Sequence, residues 1–492
     1  MRFPENFVLG AATASYQIEG AVNEGGRIPS IWDTFAHTPG KVENGDTGDV
    51  ATDHFHRWPE DIEIMKELGL QAYRLSIAWP RVMNADGDLN TEGIAFYRSL
   101  LEGLVEAGIS PLVTLYHWDL PKHLEDAGGW TNRATAEAFA RYAEAMIREY
   151  SDLVDTWLTL NEPWCSAFLG YASGVHAPGR TDAGAALAAA HHLNLAHGLA
   201  VEAMREVQPE AKIGVALNLH VIHPADPSNP KDLEAVARVT RVGNHIFLGP
   251  MLEGTYPAEL VAETRPYSDW SFVRPGDLEI TRQRIDLLAI NYYTTNTVRP
   301  REGAGSGSSG GHGGGNPWVG CDDIEFLPPE GPVTEMGWGV NPDGLHELIM
   351  ALDLADPDLP IMVAENGAAY ADELVDGMVS DEQRRAYLEA HLAAVSRAID
   401  DGANVIGYTA WSLLDNFEWA FGYAKRFGLV YVDYATGERT IKESAKWYAG
   451  LISAHASRVE EARRAAHAVE SAPEEEPEGS SKRRLFGWRR RR

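Results

Sequence analysis

Short apolar runs recur along the chain, separated by longer stretches in which apolar residues return every three or four positions. The runs are FVLGAATAS, QAYRLSIAW, PLVTLYHW, TWLTLNEP, KIGVALNL, DLLAINYY, LPIMVAENG and VIGYTAWS. Nearly continuous apolarity over a short run is the pattern of a parallel strand covered on both faces. The stretches between them read as helices. In EDIEIMKELG, residues 60 to 69, the apolar positions are 62, 64, 65 and 68, and Gly69 supplies a stop. Eight strand candidates alternating with helices predict an α/β fold, a single-domain (β/α)8 TIM barrel whose long loops account for the length.

The ends of the runs turn attention from fold to chemistry. In chain order they finish on Gln17, on Arg74 and Trp79, on His117 and Trp118, on Asn161 and Glu162, on Asn218, on Asn291 and Tyr293, on Glu365 and Asn366, and on Trp411. In this architecture the rim at the carboxyl ends of the strands carries the active site. Glu162 and Glu365 close the fourth and seventh runs, which face one another across the mouth of a closed barrel. A carboxylate where a buried strand runs out costs free energy unless something there pairs with it or uses it. Paired carboxylates beside Asn, His, Gln, Arg and aromatic faces are what glycoside hydrolysis requires. One acid protonates the leaving oxygen, the other attacks or activates water, and rings hold the apolar face of the sugar. Gln17, His117, Asn161 and Glu418 offer the donors and acceptors that sugar hydroxyls need.

Composition narrows the partners. With 492 residues and 44% hydrophobic content the chain can bury a large core, and its formal charge of −30 disfavours nucleic acid. The charge is uneven. Residues 470 to 492, ESAPEEEPEGSSKRRLFGWRRRR, hold five Glu against seven Lys or Arg, so this segment nets +2 and leaves the body near −32. The expected organisation is a catalytic barrel over 1–455, then a helical extension and a disordered acidic and basic tail over 456–492. Leu485, Phe486 and Trp488 among the arginines suit an anionic surface, but a solvated appendage is the preferred reading. GAGSGSSGGHGGGN, residues 303 to 316, reads as a flexible loop insertion inside the domain.

No long apolar span or charged-then-apolar leader is found, and the two cysteines, Cys165 and Cys321, have no CxxC neighbour. A soluble protein of the reducing cytoplasm is expected. His54 and His56, and His191, His192 and His197, lack zinc-like spacing and are expected to pack or cap. The chemistry proposed requires no metal and no organic cofactor. Oligomeric state is left open.

Seven motifs in order, FVLGAATASYQIEG, YRLSIAWPR, LYHWDLP, TLNEPW, AINYYT, AENGAAY and WSLLDNFEWAFGYAKRFGLVYVD, resemble those of glycoside hydrolase family 1, the β-glucosidase family. The resemblance covers about residues 3 to 450. It implies a retaining double displacement with Glu162 as acid/base and Glu365 as nucleophile. Arg74 is then expected to lower the pKa of Glu365, with Tyr293 orienting it. Asn161 matches the residue that binds the sugar 2-hydroxyl, while Gln17, His117, Trp411, Glu418 and Trp419 match the pocket for the non-reducing sugar. Trp118, Asn291 and Phe427 complete the expected substrate-binding set, and Trp338 matches the platform at the leaving-group side, with Trp164, His176 and Asn218 near it.

Departures refine this. Ala364 stands where the family usually carries Thr before the nucleophile. Glu418 and Phe427 stand where relatives acting on 6-phosphorylated sugars carry Ser and Tyr, although Lys425 is present; a carboxylate at 418 would repel a phosphate. The expected substrates are unphosphorylated β-glucosides and cello-oligosaccharides, cut at the non-reducing end, with β-galactosidase or β-fucosidase side activity. The competing readings are a non-catalytic β-glycoside-binding relative and a 6-phospho-β-glucosidase.

Overall fold

A computed structural model describes residues 1–302 and 315–470. The eight runs become eight parallel strands: β1 Val8–Ala12, β2 Ala72–Ser76, β3 Ser110–Tyr116, β4 Thr156–Asn161, β5 Lys212–Leu217, β6 Leu287–Asn291, β7 Ile361–Asn366 and β8 Val405–Trp411. They close into one barrel in sequence order, and β1 completes the ring by pairing with both β2 and β8. The principal helices outside it are α1 His54–Glu67, α2 Thr91–Glu106, α3 Arg133–Tyr150, α4 Ala183–Val207, α5 Pro230–Thr240, α6 Pro342–Ala355, α7 Glu382–Asp400 and α8 Glu443–Glu470. The EDIEIMKELG pattern lies in α1, where Ile62 and Met65 are buried, and Gly69 follows with φ of +69°.

The strands are apolar throughout because they are sandwiched. One face packs on the helices, and the other fills the barrel with Ala72, Leu112, Leu158, Ala216, Leu287, Ala289, Met362 and Ala364. Small and large residues together fill this layer, so the interior is packed solid and forms the floor of the mouth above it. Ala364 belongs to that layer and is 0% exposed. Its carbonyl is held by the Thr409 hydroxyl at 2.5 Å and by Arg74 at 3.3 Å, so the backbone before Glu365 is fixed without a side-chain hydroxyl at 364.

Two strands depart from regular alternation where the chemistry lies. Leu158 faces the interior, so simple alternation would turn Asn161 outward, but the β4–β5 register shifts between Leu158 and Asn161. On β7, Met362 and Ala364 face inward, which would send Glu365 outward, and the register against β6 shifts between Val363 and Glu365. A one-residue slip exchanges the faces of a strand, and bulges beside active sites serve to re-aim a side chain. Asn366, displaced outward in exchange, is satisfied by the Tyr292 carbonyl at 2.7 Å and the hydroxyls of Tyr387 and Tyr408 at 3.1 and 2.8 Å. Gly367 then passes under Trp411, whose carbonyl oxygen lies 1.8 Å from where a Cβ would stand. No other residue fits there.

α8 runs without a break through residue 455, so the stretch read as a helical extension begins as the continuation of the barrel's last helix. The tail beyond residue 470 and most of the Gly-rich insertion lie outside the described residues. Cys165 and Cys321 are both free and buried. The five histidines pair locally: His54 with Asp61, His56 with Asp53 and Glu24, His191 with Asp277 and Tyr256, His192 with the Trp130 carbonyl, and His197 with Thr159. Among the described residues no helix is long and apolar enough to cross a membrane.

Candidate active site

A cavity of about 410 Å³ opens at the carboxyl ends of the strands. His117, Trp118, Glu162, Asn291, Tyr293, Trp338, Glu365, Trp411, Glu418, Trp419 and Phe427 line it. Of the residues expected at the site, Gln17, Arg74 and Asn161 are not among the lining residues and are buried beside it, 0%, 1% and 1% exposed. Trp79 is not part of it; its ring stacks on Tyr142 at 4.9 Å in the core. Trp164, His176 and Asn218 line the cavity.

The two glutamates are held differently. Glu365 pairs with Arg74 at 2.5 Å through one oxygen and accepts the Tyr293 hydroxyl at 2.7 Å through the other. Among the described residues, Glu162 receives only the Asn291 amide at 2.8 Å and the weak Cys165 thiol at 3.3 Å. The Asn291 amide also reaches Asn161 Oδ1 at 3.0 Å, and that oxygen accepts from Arg74 at 2.6 Å. A chain of hydrogen bonds through Asn291, Asn161 and Arg74 thus links Glu162 to Glu365. Burial, followed by the charge of Glu365, pushes the pKa of Glu162 up to about 8. Burial also raises Glu365, the reverse of the net lowering expected from Arg74. Arg74 is the largest opposing influence, with Tyr293 behind it, and the dry setting outweighs both.

Asn161 is fixed by three neighbours. Its Oδ1 accepts from Arg74 at 2.6 Å and from Asn291 at 3.0 Å, which leaves its amide to meet His117 Nε2 at 3.1 Å. His117 therefore carries its proton on Nδ1, and burial with Arg74 nearby keeps the ring neutral by lowering its pKa. Gln17 gives its amide to Asn416 and to the Phe417 carbonyl, both at 2.9 Å, and so presents its oxygen. Among the described residues, Gln17 Oε1, Glu418 Oε2, His117 Nδ1, Asn291 Oδ1 and Trp164 Nε1 are buried with no hydrogen-bond partner. Such atoms are costly unless a ligand satisfies them. They are acceptors and donors of the kind a polyhydroxylated ring offers in return.

Backbone strain gathers here as well. Trp118, Glu162 and Trp419 have φ of 77°, 45° and 50°, a left-handed region that non-glycine residues enter only when the surroundings hold them. Rings complete the wall: Trp419 lies 4.5 Å from Trp118 and 5.9 Å from His117, while Trp338 lies 5.3 Å from Tyr293. Ala12, Ala14 and Ala369 pack beneath Trp411 and Phe427.

Sequence reasoning missed several lining residues, among them Cys165, His220, Asn296, Met336 and Trp318. Cys165 stood three residues after Glu162, a visible signal, since a turn there brings its backbone N–H to the Glu162 carbonyl at 2.9 Å. His220 and Trp318 come from loops and carried no such signal.

A closed parallel barrel whose mouth holds two linked carboxyl groups, ringed by aromatic faces and unsatisfied polar atoms, defines the glycosidase class of barrel enzymes. Residues 1–457 match the profile of glycosyl hydrolase family 1, and the chain belongs to that family. A bifunctional β-D-glucosidase/β-D-fucosidase of Bifidobacterium breve is 49% identical over 473 residues, 93% of this chain and 100% of that protein. β-Glucosidase A of Acetivibrio thermocellus is 43% identical over 92% of this chain and 98% of its own length. Among solved structures, a psychrophilic β-glucosidase from Micrococcus antarcticus superposes with a TM-score of 0.89 at 46% identity, covering 92% of this chain and 98% of that one. A Thermotoga maritima β-glucosidase in complex with deoxynojirimycin gives 0.85 at 41%, over 92% and 98%.

Proposed function

We propose that this chain is a retaining β-glucosidase that removes terminal non-reducing β-D-glucosyl residues from β-glucosides and cello-oligosaccharides. The observation that carries the reading is the unequal setting of two linked carboxyl groups, Glu365 paired with a guanidinium and Glu162 with none. A shared proton goes to Glu162, because ionised Glu365 keeps its partner while ionised Glu162 would stand beside another negative charge. Glu365 then attacks the anomeric carbon as Glu162 protonates the departing oxygen. In the second step Glu162 takes a proton from water, which attacks the same carbon, and Glu365 leaves. Tyr293 and Arg74 aim the nucleophile, and Asn161, immobilised by three bonds, suits a contact with the 2-hydroxyl that tightens in the transition state.

Gln17 Oε1 and Glu418 Oε2 are acceptors for the outer hydroxyls, and a pair of acceptors tolerates either epimer at C4. Side activity on β-fucosides and β-galactosides follows, in keeping with the named bifunctional relative. The phosphorylated alternative is disfavoured: Lys425 gives its ammonium to the Glu335 carbonyl at 2.9 Å and lies 3.7 Å from that carboxylate. Both carboxyl groups stand in place, which disfavours the non-catalytic alternative. The two unpaired buried cysteines suit a cytoplasmic workplace.

Chromophore release from aryl β-glucoside, β-fucoside, β-galactoside and 6-phospho-β-glucoside tests substrate choice. Proton NMR of the first sugar released tests stereochemistry. Fast cleavage of the unphosphorylated glucoside with β-glucose appearing first is expected; α-glucose first, or preference for the phosphorylated substrate, would sink the reading.

A further inference from the structure

A second cavity, of about 380 Å³, lies on the outside of the barrel over β6 and the start of β7. Its floor is apolar and buried: Leu219, Val221 and Ile222 after β5, Leu288 of β6, Leu348 of α6 and Ile361 of β7. One bank is the helical segment 241–253 that continues α5, and the other is the α6 face that carries Glu347, Ala351, Leu352 and Ala355. Ala351 and Ala355 are exposed, and two methyl groups do not fill the space between the banks. The rim is acidic. Glu253, Glu347 and Asp356 stand on it exposed, and among the described residues no Lys or Arg lines the cavity. Among those residues Glu253 and Asp356 have no ion-pair partner, and Glu347 has only the His223 ring at 2.8 Å. Arg241 and Arg282 beside the first bank are committed elsewhere, to Glu234 and Glu263 and to the Leu252 carbonyl. Burial lowers the pKa of His245 and of His220, so neither ring offsets the negative charge.

The chain carries one segment of the opposite character. Residues 482–492, KRRLFGWRRRR, set seven Lys or Arg around Leu485, Phe486 and Trp488. The way from the barrel to the groove is short. α6 packs on α7 and α7 on α8, so two helix spacings of about 8–10 Å each separate the groove from α8. α8 descends to the amino ends of the strands, where Ile452 meets Gly69 ahead of β2 and His455 Nε2 donates to the Phe7 carbonyl ahead of β1 at 3.2 Å. The groove reaches the same side of the barrel, where Ala355, Asp356 and Leu359 precede β7. α8 runs to Glu470, and the fourteen residues 471–484 span up to about 45–50 Å when extended. A tether of this kind supplies an effective concentration of about a millimolar, so even a weak site on the same chain is filled.

We propose that this groove is the docking site of the chain's own basic aromatic segment, residues 485–492, with its large apolar side chains on the Leu288 and Ile361 floor and its arginines against Glu253, Glu347 and Asp356. Aromatic rings bring the apolar area that covers such a floor, and guanidinium groups fork onto carboxylates. Charge decides against the body of a second copy as the occupant, since two bodies near −32 repel one another. Docking takes the strongly basic segment out of reach of anionic lipid and nucleic acid.

The test uses the full chain with photoreactive benzoylphenylalanine in place of Phe486, irradiated at low protein concentration and mapped by mass spectrometry. Cross-links within one chain to residues 348–355 or 248–257 are expected. Their yield should fall by about tenfold or more in Ala351→Arg, which sets bulk and positive charge on an exposed position of the α6 bank. The double variant Glu253→Gln/Asp356→Asn adds no bulk and should lower the yield about threefold, as should a rise in salt from about 50 mM to about 500 mM. Cleavage of an aryl β-glucoside should stay within about twofold in both variants, the sign of an intact barrel. Cross-links between two copies, cross-links to other parts of the body, or none at all overturn the proposal in the unsubstituted background, without need of either variant. A yield that neither variant lowers overturns it as well.

Discussion

Two clusters of buried charge lie close together in this molecule and behave in opposite ways. Behind the loops that follow β7 and β8, Asp372, Asp381 and Asp415 are matched by Arg384, Lys442 and Arg426. At the mouth stand Glu162, Glu365 and Glu418, and among the described residues only Glu365 has a guanidinium partner, that of Arg74. Burial pushes Asp372 up, but Lys442 and Arg384 overcome it and hold its pKa below the ordinary value. Burial pushes Glu162 and Glu418 up to about 8, and neighbouring carboxylates push the same way. The residue types and the burial are alike; neutralisation decides the outcome.

The difference has a function on each side. The matched cluster joins Asp372 of the β7 loop to Asp415 of the β8 loop through Lys442, which is 0% exposed. It therefore fixes the loops that carry Glu418, Trp419 and Phe427. In the proposed mechanism the unmatched cluster keeps a proton available near neutral pH, which the first step of glycosyl transfer consumes.

Removing Glu365, the proposed nucleophile, separates catalysis from binding most sharply. Glu365→Gly is expected to lower kcat/KM by about 10⁴-fold or more while sugar binding, followed by tryptophan fluorescence, is retained. Full activity in that variant would end its assignment. In the matched cluster, Lys442→Met leaves Asp372 and Asp415 short of a cation and should cost about 3–5 kcal/mol of stability in urea unfolding. Asp372, with its folded pKa depressed, contributes stability that is present above its unfolded pKa and lost as pH falls through the folded one. Acid should therefore narrow the gap between Lys442→Met and wild type; a gap independent of pH would show that the cluster is packing alone.

Asn291→Ala removes the amide that Glu162 accepts and breaks the chain of hydrogen bonds to Glu365, and a loss of about 10²-fold in kcat is expected, with the deficit largest for poor leaving groups. A deficit equal for all leaving groups would place Asn291 with the sugar rather than with the acid. The smallest effect should come from Cys165→Ser. A hydroxyl is a stronger donor than a thiol and stabilises the ionised form of Glu162, so the alkaline limb of kcat/KM should move down by less than about one pH unit. Movement upward would contradict the hydrogen bond seen here.

Much of this arrangement could be read from the residues, for physical reasons. All eight strands were visible because strands sandwiched between core and helices must be apolar on both faces. Their polar ends stood out against that background, which is why Glu162, Glu365, Asn161 and Asn291 could be named. What alternation could not show is that Asn161 and Glu365 should face outward and are turned inward by register slips, because a bulge is a property of paired strands. The partnership of Lys442 with Asp372 and Asp415, 70 and 27 residues away, also leaves no local trace. His220 and Trp318 pack over Gly243, where a Cβ would lie 3.0 and 3.1 Å from their rings, a contact that no local pattern announces.

The most direct measurement is a carbon-13 titration of the Glu162 carboxyl in the wild type and in Glu365→Gln. The account predicts a midpoint near 8 in the wild type, displaced downward once the charge at 365 is removed. A wild-type midpoint in the ordinary carboxylate range, unmoved by the substitution, would contradict it.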